Sequence, residues 1–160
     1  FENSLKYIQL SKEIDPNNIN LILLESNIRW ELGDVESYEK LITKALEINP
    51  ENTDLVFNLG VVNADKGNID LALEFYNKAI QLDPSYTKAY LNAAALILEK
   101  DEPIIEEMNS LGMSTADYNR YDELKLIRED LFKSAIPYLN KVYELDPNNI
   151  DSGKVYRKGV

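Results

Sequence analysis

The side chains with chemistry to offer are carboxylates: the chain has 28 Asp and Glu, and neither histidine nor cysteine. Without cysteine there is no disulfide, thiolate zinc site or thiol nucleophile. Without histidine the commonest general base and metal ligand are missing. Two adjacent pairs, Glu106-Glu107 and Asp122-Glu123, come nearest to an acid–base couple. Adjacent residues on a helix diverge by about 100°, so such pairs do not face one reacting group; they read as solvated helix faces. Asp15-Pro16-Asn17-Asn18 and Asp146-Pro147-Asn148-Asn149 have the oxygen content of a calcium loop. They sit at regular boundaries, however, and read as turn and capping chemistry. No phosphate-cradling Gly-rich loop, nucleophile triad or EF-hand loop is present. The expectation is no catalytic residue, no metal site and no cofactor.

The elements that place these residues come from a repeat. Pro16, Pro50 and Pro84 are 34 residues apart and close the phrases Glu-Ile-Asp-Pro, Glu-Ile-Asn-Pro and Gln-Leu-Asp-Pro. Glu-Leu-Asp-Pro ends at Pro147, 63 residues further on, one period plus 29. A fixed period of this length marks stacked structural units. In residues 53–86, Val56, Leu59 and Gly60 share one helical face. Gly67 suits a left-handed helix end and Asn68 the cap of the next helix. Ala72, Tyr76 and Ala79 make a second apolar face, and Asp83-Pro84 stops it. The small residues Gly60 and Ala72 allow close helix approach beside Tyr76.

This unit resembles the tetratricopeptide repeat at Val56, Leu59, Gly60, Gly67, Ala72, Tyr76, Ala79 and Pro84, departing where the family prefers tryptophan (Val56) and tyrosine (Asn63). The resemblance implies an all-α, right-handed solenoid of antiparallel helix pairs. Residues 1–18 hold the second helix of a partial repeat, with Ser4, Ile8, Ser11 and Pro16 in register. Residues 19–52 form a repeat in which Ile22, Gly33, Ile42, Ala45 and Pro50 fit. There Glu25 replaces leucine, Ser26 glycine and Tyr38 alanine; either the first helix is rotated or Glu25 and Tyr38 compensate one another. Residues 53–86 and 87–149 are the next repeats, and 150–160 begin a further helix. Phe1 opens inside a repeat, so the chain is expected to be a fragment.

The last repeat carries an insertion of about residues 101–129 between Tyr90-Ala93-Ala94-Ile97 and Ala135-Leu139-Val142. Tyr90, Ile97, Ile104 and Leu111 recur every seven residues, as do Leu124 and Leu131. Gly112 is a helix stop, and Ser114 with Asp117 reads as a capping box. The pattern predicts a protruding or extended helical hairpin projecting about 21 Å, with both arms running through their prolines, Pro103 and Pro137. The insertion is either a spacer or local cap, or a contact arm with Tyr118 and Tyr121 near its tip.

The net charge of −11, with scattered arginines, excludes a basic nucleic-acid surface. No apolar run reaches membrane-span length. The resemblance implies a scaffold or adaptor whose first helices line a peptide groove. Position by position, the groove falls on Asn20, Leu23, Leu24, Asn27, Trp30 and Glu31; then Asp54, Phe57, Asn58, Val61 and Asp65; then Lys88, Leu91, Asn92 and Ala95. Stacked asparagine amides can each offer a donor and an acceptor to a peptide backbone. Some family members grip a C-terminal carboxylate with lysine and asparagine, but here Lys88 is the only cation in these rows. The expected partner is therefore a protein or peptide segment of neutral or basic character. The alternative is a purely structural role, stacking in a longer solenoid or forming a homo-oligomer through the hairpin or exposed terminal helices. The Asn- and Ile-rich sequence with its insertion looks similar to bacterial cell-envelope repeat proteins, which favours envelope over cytoplasm.

Overall fold

A computed structural model describes residues 1–147; the further helix expected over 150–160 lies outside them. The described residues form eight helices and no strand: α1 (Glu2–Ile14), α2 (Ile19–Glu31), α3 (Val35–Ile48), α4 (Thr53–Asp65), α5 (Ile69–Leu82), α6 (Thr87–Leu98), α7 (Asp101–Ser110) and α8 (Thr115–Leu145). They fall into two compact units, residues 1–84 and the residues from Ser85 onward.

In the first unit each helix packs on the next along the chain. Gly33 and Gly67 adopt φ of +72° and +76° at the turns that follow α2 and α4, a left-handed conformation that only glycine enters without penalty. The caps come from the asparagine and aspartate phrases. The Asn18 side chain accepts from the N–H groups of Asn20 and Leu21, Asn52 from Leu55, and Asp34 from Ser37. The oxygen cluster at 15–18 is thus spent on its own turn, including a 3.2 Å bond from the Asn18 amide to Asp15. Asn68 departs from expectation. It holds the cap position of α5, but its amide bonds back to Asn63 Oδ1 at 3.2 Å. Asn63, buried, donates in turn to the Leu59 carbonyl, so the polar group standing in place of the family's tyrosine is satisfied.

The core of this unit is Ile22, Tyr38, Ile42, Ala45, Leu55, Leu59 and Val62. At the tightest crossing, a Cβ built on Gly60 would meet Tyr76 at 2.5 Å. Thirty-four residues earlier the equivalent pair is Ser26 and Ile42; in the last repeat it is Ala94 and Leu139, and all six residues are buried. The residue facing the small position shrinks as that position grows, which keeps packing volume nearly constant.

The first repeat settles its two departures separately. Glu25 pairs with Lys12 of α1 at 2.6 Å and lies 3.8 Å from Arg29, which also bonds Asp34 at 3.1 Å. Tyr38 is buried and packs against Trp30 in a tilted arrangement, with ring centroids 4.9 Å apart. The two do not compensate one another: the carboxylate finds a cation on the preceding helix, and the phenol an aromatic on its own pair.

In the second unit α8 is a single helix of 31 residues, about 46 Å long. Its first half packs on α7 and its second half on α6. The capping box forms: Asp117 N–H donates to Ser114 Oγ, and Ser114 N–H to Asp117 Oδ2 at 2.9 Å. Continuity through Pro137 is observed, but the first arm is broken, α6 ending at Leu98 and α7 starting at Asp101. Pro103 explains the break. Starting a fresh helix at Asp101 places the proline in a first turn, where its missing N–H is no loss.

Candidate functional site

Within the first unit, the faces of α2 and α4 turned from the core hold equivalent residues at 34-residue spacing. Leu23 and Phe57 are half-buried; Leu23 packs against the core, and the Phe57 ring lies against Tyr76, ring centroids 5.6 Å apart. On the same two helices Leu24 and Asn27 are exposed, Asn58 and Val61 half-buried, and Asn20 and Asp54 exposed. Among the described residues the Asn27 and Asn58 amides make no hydrogen bond within the chain, so each has a donor and an acceptor to give.

Trp30 sits at the edge of this face, 38% exposed although one side of its ring is covered by Tyr38. At the C-terminal ends of α2 and α4, Glu31 and Asp65 are exposed. Neither enters an ion pair among the described residues, whereas Glu25, Asp34, Glu36 and Glu39 all do. The helix dipoles point their negative ends the same way, so this end of the face is electronegative. Ser37, donating to Asp34, holds that carboxyl below its usual range, and Arg29 adds to the effect.

In the second unit Lys88 is exposed at the start of α6, and Leu91 and Asn92 are half-buried. The Asn92 amide donates to the Lys88 carbonyl at 2.9 Å, which leaves its Oδ1 as the group available to a ligand.

Of the two acidic pairs on the α7–α8 arm, Glu106, Asp122 and Glu123 are exposed, as expected of solvated faces, and Glu107 is half-buried. Arg120 forms a two-pronged contact with Glu107, at 2.7 and 3.2 Å, and reaches Glu123 at 3.0 Å. Arg128 grips Asp101 the same way, at 2.5 and 2.9 Å, and lies over the Phe132 ring. The Arg120 guanidinium holds the Glu107 carboxyl below its ordinary range, and both arginines are pushed up by their carboxylates. Helical spacing could have shown this: Asp101 and Glu107 lie on the face of α7 that carries Ile104 and Leu111, opposite arginines eight residues apart. Tyr118 and Tyr121 are 60% and 45% exposed, and beneath them Leu124 is buried. No described residues group into a metal site, and no described helix is long and apolar enough to cross a membrane.

Paired helices with left-handed glycine turns and a small-against-large crossing are the architecture of a helical-repeat solenoid. Residues 55–86 match the sequence model of the tetratricopeptide repeat, and the described residues share the fold of tetratricopeptide-repeat solenoids. No curated protein sequence matches it. Among solved structures it is similar to MamA (TM-score 0.62, 15% identity, covering 91% of this chain and 68% of that one). It is also similar to a MamA chain from Desulfovibrio magneticus (TM-score 0.63, 14% identity, 92% and 67% covered). A third is the first TPR of Spaghetti (RPAP3), solved with the HSP90 peptide SRMEEVD (TM-score 0.61, 22% identity, 90% and 91% covered). At these identities the likeness defines the fold. The chain spans about two thirds of the length of the MamA chains.

Proposed function

We propose that this chain is a non-enzymatic protein-interaction module, a scaffold or adaptor, that takes a peptide segment or partner helix on its first-helix faces. The reading centres on Asn27, Phe57, Asn58 and Val61 in the first unit and on Lys88, Leu91 and Asn92 in the second, Leu91 and Asn92 being the equivalents of Phe57 and Asn58. The observation that carries it is the pair of unspent amides, Asn27 and Asn58, on the same two helices as Leu23 and Phe57, which pack against the core and Tyr76. A rigid face with free amides can pair with a peptide backbone at little ordering cost. The peptide in the Spaghetti structure ends in Glu-Glu-Val-Asp. Here Glu31 and Asp65 flank the face, which favours a neutral or basic segment instead.

The test is selection of ligands from a random displayed peptide library, followed by calorimetry on single variants. Asn27→Ala and Asn58→Ala should each weaken a selected peptide by roughly 2- to 10-fold, the worth of one hydrogen bond. Val61→Asp should weaken it further. Peptides indifferent to all three substitutions would end the reading.

A second reading, stacking or self-association through α1, has its own observation. Tyr7 is 70% exposed, whereas its equivalents Leu41 and Phe75 pack against the core. Sedentary monomers over a wide concentration range, unchanged by Tyr7→Ser, would remove the self-association form of that reading.

A further inference from the structure

We propose that the α7–α8 arm is a second docking surface, separate from the α2 and α4 face, and that it takes a cationic segment carrying apolar side chains, such as a basic amphipathic helix. Residues 101–129 hold eight carboxylates against three cations, a net charge of −5 out of −11 for the whole chain. Two of the three cations are already consumed, Arg120 by Glu107 and Glu123, and Arg128 by Asp101. Glu102, Glu106, Asp122 and Glu129 are exposed and enter no ion pair among the described residues.

Apolar surface lies beside this charge. On α8, Tyr118, Tyr121 and Lys125 follow at i, i+3 and i+7, one stripe of the helix. Asp122, Leu126 and Glu129, at i, i+4 and i+7, form the adjoining stripe, and Leu126 is 62% exposed. An aromatic stripe beside an acidic one suits a partner that offers Lys or Arg together with apolar side chains. Its cations can pair with the carboxylates and lie over the tyrosine rings. Tyrosine is also among the residues that most often dominate interface energetics.

The arm is preorganised for such contact. The capping box fixes the start of α8, two guanidinium–carboxylate forks set the register of α7, and Leu124 is buried between them. Little conformational freedom remains to be lost on docking. A second copy of this chain is the poorer occupant, because arm against arm opposes two surfaces of charge −5.

The test uses the intact chain and a labelled helical peptide of Lys and Leu, with a Glu and Leu peptide of the same pattern as control, read by fluorescence anisotropy. The Lys peptide should bind and the Glu peptide should not. Tyr118→Ser with Tyr121→Ser should weaken binding by about tenfold. Glu102→Lys with Glu106→Lys and Asp122→Lys should do the same and flatten the salt dependence. Glu13→Lys with Glu47→Lys and Glu74→Lys, an equal charge change outside the arm, should stay within about twofold. Asn27→Ala with Asn58→Ala should have no effect, which separates this surface from the α2 and α4 face. The proposal is overturned by absence of binding, by equal loss in the outside-charge variant, by equal binding of the Glu peptide, or by a dimer that the tyrosine substitutions dissolve. All these positions are exposed except half-buried Asn58, and circular dichroism of each variant checks for an intact fold.

Discussion

Gly60→Ala is a small substitution with an outcome opposite to the usual one in a helix. On helix propensity alone it should stabilise by about 0.5–1 kcal/mol. The new Cβ, however, would lie 2.5 and 2.6 Å from Tyr76 Cε1 and Cδ1, and 3.3 Å from the Ala72 carbonyl oxygen. Carbon atoms need about 3.5 Å or more, so the ring must move by about 1 Å. It has nowhere to go, being 2% exposed and packed against Phe57. Overpacking of this kind costs about 1–3 kcal/mol, and the net expectation is a loss of about 1–2 kcal/mol after the propensity gain. The Ser26–Ile42 and Ala94–Leu139 pairs point to the rescue: Tyr76→Leu should relieve the alanine. The assay is a double-mutant cycle by urea unfolding at 222 nm, with the m-value checked because repeat proteins can unfold in sections. Gly60→Ala and Tyr76→Leu should couple by about 1 kcal/mol or more. A Gly60→Ala variant as stable as the parent, or strict additivity in the cycle, would refute the size-exchange argument.

Other outcomes follow from the arm and from α8. Glu107 is held below its ordinary carboxylate pKa by Arg120, so its contribution to α7 docking is complete above that ordinary value and is lost as pH falls through the lowered one. Protection factors in α7, corrected for the intrinsic pH dependence of amide exchange, should therefore fall in acid relative to neutral pH, and Arg120→Gln should abolish most of that difference. Arg128→Ala strands Asp101, whose carboxylate is largely covered, and should raise α7 exchange at neutral pH while leaving α4 and α5 unchanged. Pro137→Ala should stabilise the second unit by about 1–3 kcal/mol, since α8 already runs straight through and an alanine returns an N–H to the Lys133 carbonyl; thermal unfolding reads it.

The repeat was legible because its signals are local and periodic. Prolines, glycine turns and small-against-large positions each specify geometry within a few residues of themselves. What stayed hidden depended on partners far along the chain. Glu25 looked like an error in an apolar position until α1 brought Lys12 beside it, 13 residues away. Glu107 looked solvated because adjacency along the sequence says nothing of the helix across from it. Glu107 and Asp101 meet arginines 13 and 27 residues later. The break before Asp101 was hidden for another reason: a seven-residue apolar spacing persists whether or not the two helices are joined, and only the cost of Pro103 in an interior decides between them.

The candidate surfaces follow from which positions the stacking leaves undetermined. Across equivalents 34 residues apart, inward positions trade size within a fixed volume: Ser26, Gly60 and Ala94 against Ile42, Tyr76 and Leu139. Outward positions trade chemistry instead. Asn20, Asp54 and Lys88 are equivalents, as are Asn27, Val61 and Ala95. Packing that accepts an amide, a valine and an alanine at one place does not require any of them. The free amides of Asn27 and Asn58 are therefore not explained by the fold, and neither are two exposed tyrosines on an arm whose register is already fixed by two arginine forks. Side chains that the fold does not need, held still by side chains that it does, are the material of a proposed binding surface, and both proposals rest on such sets.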